Sequence, residues 1–266
     1  MNALDSLPRL RRGSHCLRAP KRAAKPALPA FSMAFQPIVH GADGGVFAYE
    51  ALARGLQGES ADSVFEQAGT ANRSKLDEAC RVAAIELSAK LGLVRNGGLL
   101  SINFSPLSFS RSEEFLTATV EAAARVGMPL DHIIVEITEH ASISKEQLEG
   151  ILDASRRYGF ATAIDDFGAG FNGLELLSRF EPDMVKIDMQ LTRGIHLNRR
   201  TQKIVQRIVD LCHELGVVVI AEGVENEGEF RQLQAAGIGL FQGFHFCRPA
   251  FEQLMQGPFD VAQPVA

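Results

Sequence analysis

Two adjacent carboxylates, Asp165 and Asp166, close an apolar run at Ala161–Ile164 and open a glycine-spaced loop, Phe167–Gly170. A second short apolar run, Met184–Ile187, carries Lys186 and ends at Asp188. From Ala161 to Asp188 the stretch has the length of one strand–helix–strand unit, about 30 residues. Buried parallel strands are near-uniformly apolar, so three acids and a lysine at two strand ends need a partner to offset them. A divalent metal with a phosphate is such a partner. Adjacent aspartates let one carboxylate bridge two ions, about 3.5–4 Å apart in two-metal phosphodiester hydrolases, where the ions activate water and take up charge on the phosphate. Read alone, Lys186 also suits a Schiff-base lysine. That role needs a lowered pKa, and this many acids would raise it.

The elements that must position these groups follow one grammar from Phe31 onward: short apolar strand, polar residue at its end, helix. Met33–Val39 and Phe47–Leu52 read as antiparallel strands joined by a Gly/Asp turn. Further strands are expected at Leu99–Phe104, Ile133–Thr138, Ala161–Asp166, Met184–Asp188, Val217–Ala221 and Leu240–Phe246. Apolar spacing predicts helices at Leu76–Leu91, Ser112–Val126, Ser144–Tyr158, Leu174–Phe180, Thr201–Leu215 and Glu227–Ala236, with a short one starting near Phe251. Eight strands with intervening helices predict an α/β, TIM-like (β/α)8 barrel with the first strand antiparallel to the others. An open doubly wound sheet is the alternative, but no Gly-x-Gly-x-x-Gly follows a first strand.

In a barrel the C-terminal strand ends meet on one face. Glu50, Asn103 and Glu136 end the second to fourth strands, and Asp165 with Asp166 the fifth. Lys186 with Asp188, Glu222 with Glu225, and Gln242 belong to the last three. Hard oxygen ligands, without Cys or His at usable spacing, select Mg²⁺ or Mn²⁺ over zinc. A lone strand-end acid is usually a helix cap or salt-bridge partner; the same placement on seven strands is hard to explain that way.

The 266 residues suit a single large barrel, and 46% hydrophobic with 22% charged residues is a globular composition. The formal charge of −5 hides a basic start: the first thirty residues hold seven Lys or Arg and one acid. Residues 1–30 therefore read as a disordered basic tail, 31–258 as the barrel and 259–266 as a short tail. The acidic remainder argues against DNA as a partner. Four scattered cysteines read as free thiols of a reducing, cytoplasmic compartment, and no apolar stretch is long enough for a transmembrane segment.

A family resemblance is carried by motifs in order. They are FQPIV (Phe35–Val39), YEALARG (Tyr49–Gly55), SINFSP (Ser101–Pro106), VEITE (Val135–Glu139), IDDFGAGFNGL (Ile164–Leu174), VKID (Val185–Asp188), AEGVE (Ala221–Glu225) and FQGFHFCRP (Phe241–Pro249). Over about Phe31–Leu254 the chain resembles an EAL domain, the family of cyclic di-GMP phosphodiesterases, and reads as a stand-alone one. The resemblance implies hydrolysis of cyclic di-GMP to linear pGpG with two Mg²⁺ or Mn²⁺ ions, Ca²⁺ being inhibitory, in a homodimer. It implies that Glu50, Asn103, Glu136 and Asp165 hold one ion, Asp165 bridging to a second held by Asp166 and Glu222. Glu222 is alternatively a general base, and Lys186 positions the attacking water. Gln36 and Arg54 match substrate-contacting positions; Asp188, Glu225 and Gln242 match supporting ones; Glu139 matches the residue that pins the loop after the aspartates. The sequence departs from the common pattern at Gly55, where a Trp is frequent, and in the loop GAGFNG, which puts dimer-linked activation in question. A cyclic di-GMP receptor or protein-binding regulator without catalysis is the alternative function; it would be expected to lack part of the ligand set, and here none is missing.

Overall fold

Successive side chains on a strand point to opposite faces, and in this chain the two faces serve two different cores. The computed structural model describes residues 28–104, 114–138, 145–170, 173–179 and 181–261. Two long strands, β1 (Phe31–His40) and β2 (Val46–Gly55), form an antiparallel hairpin. Five strands then add in parallel: β3 (Leu99–Phe104), β4 (Ile133–Thr138), β5 (Ala161–Phe167), β6 (Met184–Ile187) and β7 (Val218–Ala221). The short β8 (Leu240–Phe241) pairs with β7 on one side and antiparallel with β1 on the other, closing the barrel. The expected barrel, with its first strand reversed, is the fold.

The inward face has a floor and a polar layer. Ile38, Ala48, Ile134, Ala163, Met184, Ile220 and Leu240 pack as a separate apolar cluster. Two residues along each strand from that floor come Gln36, Glu50, Glu136, Asp165, Lys186, Glu222 and Gln242. Period-two spacing thus converts an apolar plug into a polar site within one side-chain step. The outward face packs under the helices α1 (Ala61–Ala68), α2 (Arg73–Lys90), α3 (Glu114–Val126), α4 (Lys145–Tyr158), α5 (Gly173–Arg179), α6 (Met189–Thr192), α7 (Arg199–Glu214) and α8 (Glu227–Ala235). In α7, Val205, Val209 and Cys212 make the buried stripe, and the Asn198 side chain caps the start by accepting from the Arg200 and Thr201 amides.

Two expectations need correction, and one helix was missed. The last strand was expected to run to Phe246 but stops at Phe241: the chain turns at Gly243, whose Cα lies so close to Val224 that a Cβ would sit 2.1 Å from its carbonyl oxygen. Phe244 consequently points outward at 45% exposure, with Arg248 stacked 4.0 Å from its ring centre, while Phe241 stays in the core. Instead of a helix near Phe251 there is a strand, β9 (Ala250–Phe251), paired with Ala34 and Phe35 of β1. β8 covers only Val39 and His40 of that edge, so β9 satisfies backbone groups β8 leaves open. Helix α1 went unforeseen; it buries only Val64 and Ala68, too few for a readable period, and is held by a Ser60 cap.

Of the expected tail 1–30, all but the last three residues lie outside the described ones. Cys80 and Cys212 are buried, and burial pushes their thiols up to about 12 and about 11. Among the described residues no helix is long and apolar enough to cross a membrane.

Candidate active site

The paired aspartates sit on a β-bulge. β5 aligns Ile164 with Val185 and then Phe167 with Ile187, so Asp165 and Asp166 together oppose Lys186. Asp166 has φ 57°, a left-handed conformation that costs a non-glycine residue roughly 1 kcal/mol or more. The bulge breaks the alternation that would send neighbouring side chains to opposite faces. As a result, ligand atoms of Asp165, Asp166 and Glu222 lie within 4.8 Å of one another.

Lys186 fills the centre of the acid set. Its Nζ is 2.7 Å from Glu222, 2.8 Å from Glu136, 3.0 Å from Asp165 and 3.3 Å from Glu50. It is 1% exposed. Burial opposes its charge, but Asp165, Glu136, Glu222 and Glu50 together hold its pKa well above the ordinary lysine value. Burial pushes Glu136 up to about 8 against the pull of Lys186, with Glu50 and Asp165 adding to the rise. Glu222 is raised well above a normal carboxylate by the same burial, against Lys186. Burial also works against an ionised Glu50, yet Lys186 and the side chains of Gln242 and Asn103 outweigh it and lower its pKa. One lysine is therefore too little counter-charge for this pocket.

The donor set suits hard divalent ions. Glu136 Oε2 is buried without a hydrogen-bond partner, while its other oxygen accepts from the Ser101 hydroxyl at 2.6 Å. Asn103 donates its amide nitrogen to Glu50 at 3.0 Å, which leaves its carbonyl oxygen available to a metal ion. Oxygen donors at this density, with an unsatisfied buried carboxylate oxygen, match Mg²⁺ or Mn²⁺. Glu139 lies outside the described residues.

Beside the acids is a cavity of about 260 Å³. Gln36 and Arg54, expected to contact substrate, and Asp188, Glu225 and Gln242, expected in supporting positions there, are all on its wall. Gln242 donates to Glu50 at 2.8 Å and to Gln36 at 3.3 Å, and Gln36 donates to the Cys247 carbonyl at 3.0 Å. Asp188 also has a structural duty, capping α6 by accepting from the Gln190 amide. The volume lies just below the usual range of about 300–1,000 Å³ for ligand pockets.

The family model of the EAL domain matches residues 22–249 of this chain, most of its length. The chain belongs to the EAL-domain family. Among curated EAL relatives, the blue light- and temperature-regulated antirepressor BluF of Escherichia coli K12 is 32% identical over 219 residues, 81% of this chain and 53% of BluF. The cyclic di-GMP phosphodiesterase PdeR of the same organism is 32% identical over 159 residues, 58% of this chain and 24% of PdeR. The chain thus spans about half of BluF and a quarter of PdeR. A standalone versatile EAL protein from Vibrio cholerae O395, solved bound to c-di-GMP, superposes with TM-score 0.82 at 42% identity, covering 88% of this chain and 98% of that one. The manganese/cyclic di-GMP complex of Klebsiella pneumoniae BlrP1 at pH 9.0 gives TM-score 0.80 at 36% identity, covering 86% and 58%.

The EAL barrel also uses residues that motif reading passed over. Ser101 lies one strand step before Asn103 on the same face, so period-two reasoning could have found it. Thr192, Arg193 and Glu229 carry no such mark. The Thr192 hydroxyl donates to the Glu222 carbonyl, and Arg193 pairs with Glu225. The Glu229 carboxylate accepts from the Gly194, Glu225 and Asn226 amides. At Gly55, where a Trp is frequent, a Cβ would lie 2.2 Å from the Glu59 carboxylate, which fills that volume.

Proposed function

We propose that this chain hydrolyses cyclic di-GMP to linear pGpG at the Asp165–Asp166–Glu222 centre, lowering the signal carried by that nucleotide. The observation that carries the reading is the convergence of those three carboxylates within 4.8 Å beside a cavity walled by Arg54 and Gln36. Glu50, Asn103, Glu136 and Asp165 would hold one divalent ion, and Asp165, Asp166 and Glu222 a second. Two such ions supply water activated at neutral pH and positive charge for the phosphate in its transition state. Arg54 gives a planar fork suited to phosphate oxygens. Lys186 Nζ, 2.7 Å from Glu222 and 3.0 Å from Asp165, would orient the attacking water, with Glu222 as the alternative general base. Ca²⁺, with bonds of about 2.3–2.6 Å against about 2.0–2.1 Å for Mg²⁺, would spread the ligands and inhibit.

The antirepressor name of BluF favours a second reading, a regulator that works through protein contact. The complete acid set favours catalysis. We place the activity in residues 31–258, in the cytoplasm, and in a homodimer; Leu174 on α5, 64% exposed, follows the variant loop and is available to such a contact.

Incubation of the purified chain with cyclic di-GMP and Mg²⁺ or Mn²⁺, followed by chromatography, tests the reading. pGpG should accumulate, EDTA should stop it, and Asp165→Ala or Glu50→Ala should abolish it. Product formation that persists in EDTA or in Asp165→Ala would sink the assignment.

A further inference from the structure

The wall of the 260 Å³ cavity carries five carboxylates, Glu50, Asp166, Asp188, Glu222 and Glu225, against two cations, Arg54 and Arg193. A cyclic dinucleotide brings two phosphates. The one being cleaved belongs at the acid centre, so the other must find its counter-charge among side chains. Arg54 is partly committed: its guanidinium donates to the carbonyl of Ala53 at 2.8 Å. Arg193 is differently placed. Its guanidinium pairs with Glu225 at the rim, and both side chains are about half exposed, at 51% and 42%. Ion pairs this exposed are weak and exchange partners readily. A phosphodiester offers a guanidinium the same paired oxygens and the same single charge as a carboxylate, so a diester held beside the rim can take the place of Glu225.

The backbone beneath Arg193 is fixed to the catalytic loops. Its amide donates to the Met189 carbonyl at 2.9 Å, and the next amide, of Gly194, donates to Glu229 at 2.8 Å. Its predecessor, Thr192, is hydrogen-bonded to the backbone of Glu222. The side chain can swing while its root keeps a set position relative to the reacting centre.

We propose that Arg193 is a specificity residue, which leaves Glu225 to bind the non-reacting phosphate of the cyclic dinucleotide. This rests on the hydrolase reading above. It distinguishes substrates with a second phosphate from simple diesters.

The test compares Arg193→Gln and Arg193→Lys on two substrates, cyclic di-GMP and bis(p-nitrophenyl) phosphate, a diester with one phosphate only. Loss of a charge-assisted fork should raise KM for cyclic di-GMP about tenfold or more in Arg193→Gln, with kcat within about threefold. The Lys variant should recover part of the loss, and kcat/KM for the simple diester should stay unchanged. Equal losses on both substrates would overturn the proposal and make Arg193 a support for Glu222. No loss on either would reduce it to a rim ion pair. Wild-type protein that cleaves neither substrate would count against the hydrolase reading, and calorimetry of cyclic di-GMP binding in EDTA would then decide for Arg193. Weaker binding by Arg193→Gln upholds it; equal binding, or none in wild type, overturns it.

Discussion

At the residue scale, Lys186 is the group on which the metal-free site depends. Four carboxylates lie within 3.3 Å of its ammonium; Glu50, Glu136 and Asp165 are buried and Glu222 is partly so. Removing one partner of such a buried network costs about 3–5 kcal/mol, because the rest lose their counter-charge. Lys186→Met should therefore lower the melting temperature in EDTA by roughly 10 °C, at about 2–4 °C per kcal/mol for a chain of this size. Mn²⁺ should restore much of that, since ions at the same centre neutralise the same acids, while hydrolysis stays lost. An equal melting deficit with and without Mn²⁺ would mean that the ions bind elsewhere. The residue types at this centre were legible in the sequence. The lysine's role as shared counter-ion was not, because which strand ends face each other across the barrel depends on how the sheet closes. Arg193 was illegible for a related reason: it lies on a loop, belongs to no spaced motif, and gains meaning only from Glu225 opposite.

At the element scale, the segment after β6 ties its neighbours together. Leu191 packs where a Cβ on Gly168 would have to go, 2.4 Å from its Cδ1, which brings the loop of the two aspartates against α6. Met189 does the same for Gly223, and Thr192 holds the Glu222 carbonyl. Thr192→Val keeps shape and burial but removes the hydroxyl, a hydrogen bond worth about 1 kcal/mol net. It should raise the Mn²⁺ concentration for half-saturation about threefold to tenfold in calorimetric titration, and Thr192→Ser should not. A lowered melting temperature with unchanged Mn²⁺ binding would make Thr192 merely structural. Strands β3 and β4 were readable to the residue, because each is a short, mostly apolar run buried on both faces with a polar group near its end. β8, β9 and α1 were not: two-residue strands and a helix burying two side chains lack a period, and their positions are set by the edge or surface they cover.

At the scale of the whole molecule, the barrel is thinnest at β8. Elsewhere on the circuit neighbouring strands share three or more paired residues, but β8 meets β7 only at Ile220–Leu240 and Ala221–Phe241, and its seam with β1 has only Val39–Phe241 and His40–Leu240. The C-terminal segment makes up the difference. Besides β9, the Glu252 amide donates to the Met33 carbonyl at 2.9 Å, the Tyr49 hydroxyl to the Met255 carbonyl at 2.8 Å, and the Phe259 amide to the Gly44 carbonyl at 2.8 Å. At the top of the same seam, Gln36 and Gln242 link β1 to the end of β8 and to Glu50, so the seam's geometry and the site's are one problem. Deleting residues 250–266 should therefore lower the melting temperature by about 10 °C or more, at about 1 kcal/mol per lost hydrogen bond and about 2–4 °C for each, and should depress hydrolysis. Tyr49→Phe, which removes one of those bonds from the outward face, should cost about 2–4 °C and leave kcat intact. Deleting residues 1–27 should change neither quantity. If the C-terminal deletion melts with the intact chain, β8 alone closes the barrel; if the N-terminal deletion loses activity, the basic segment belongs to the proposed hydrolase.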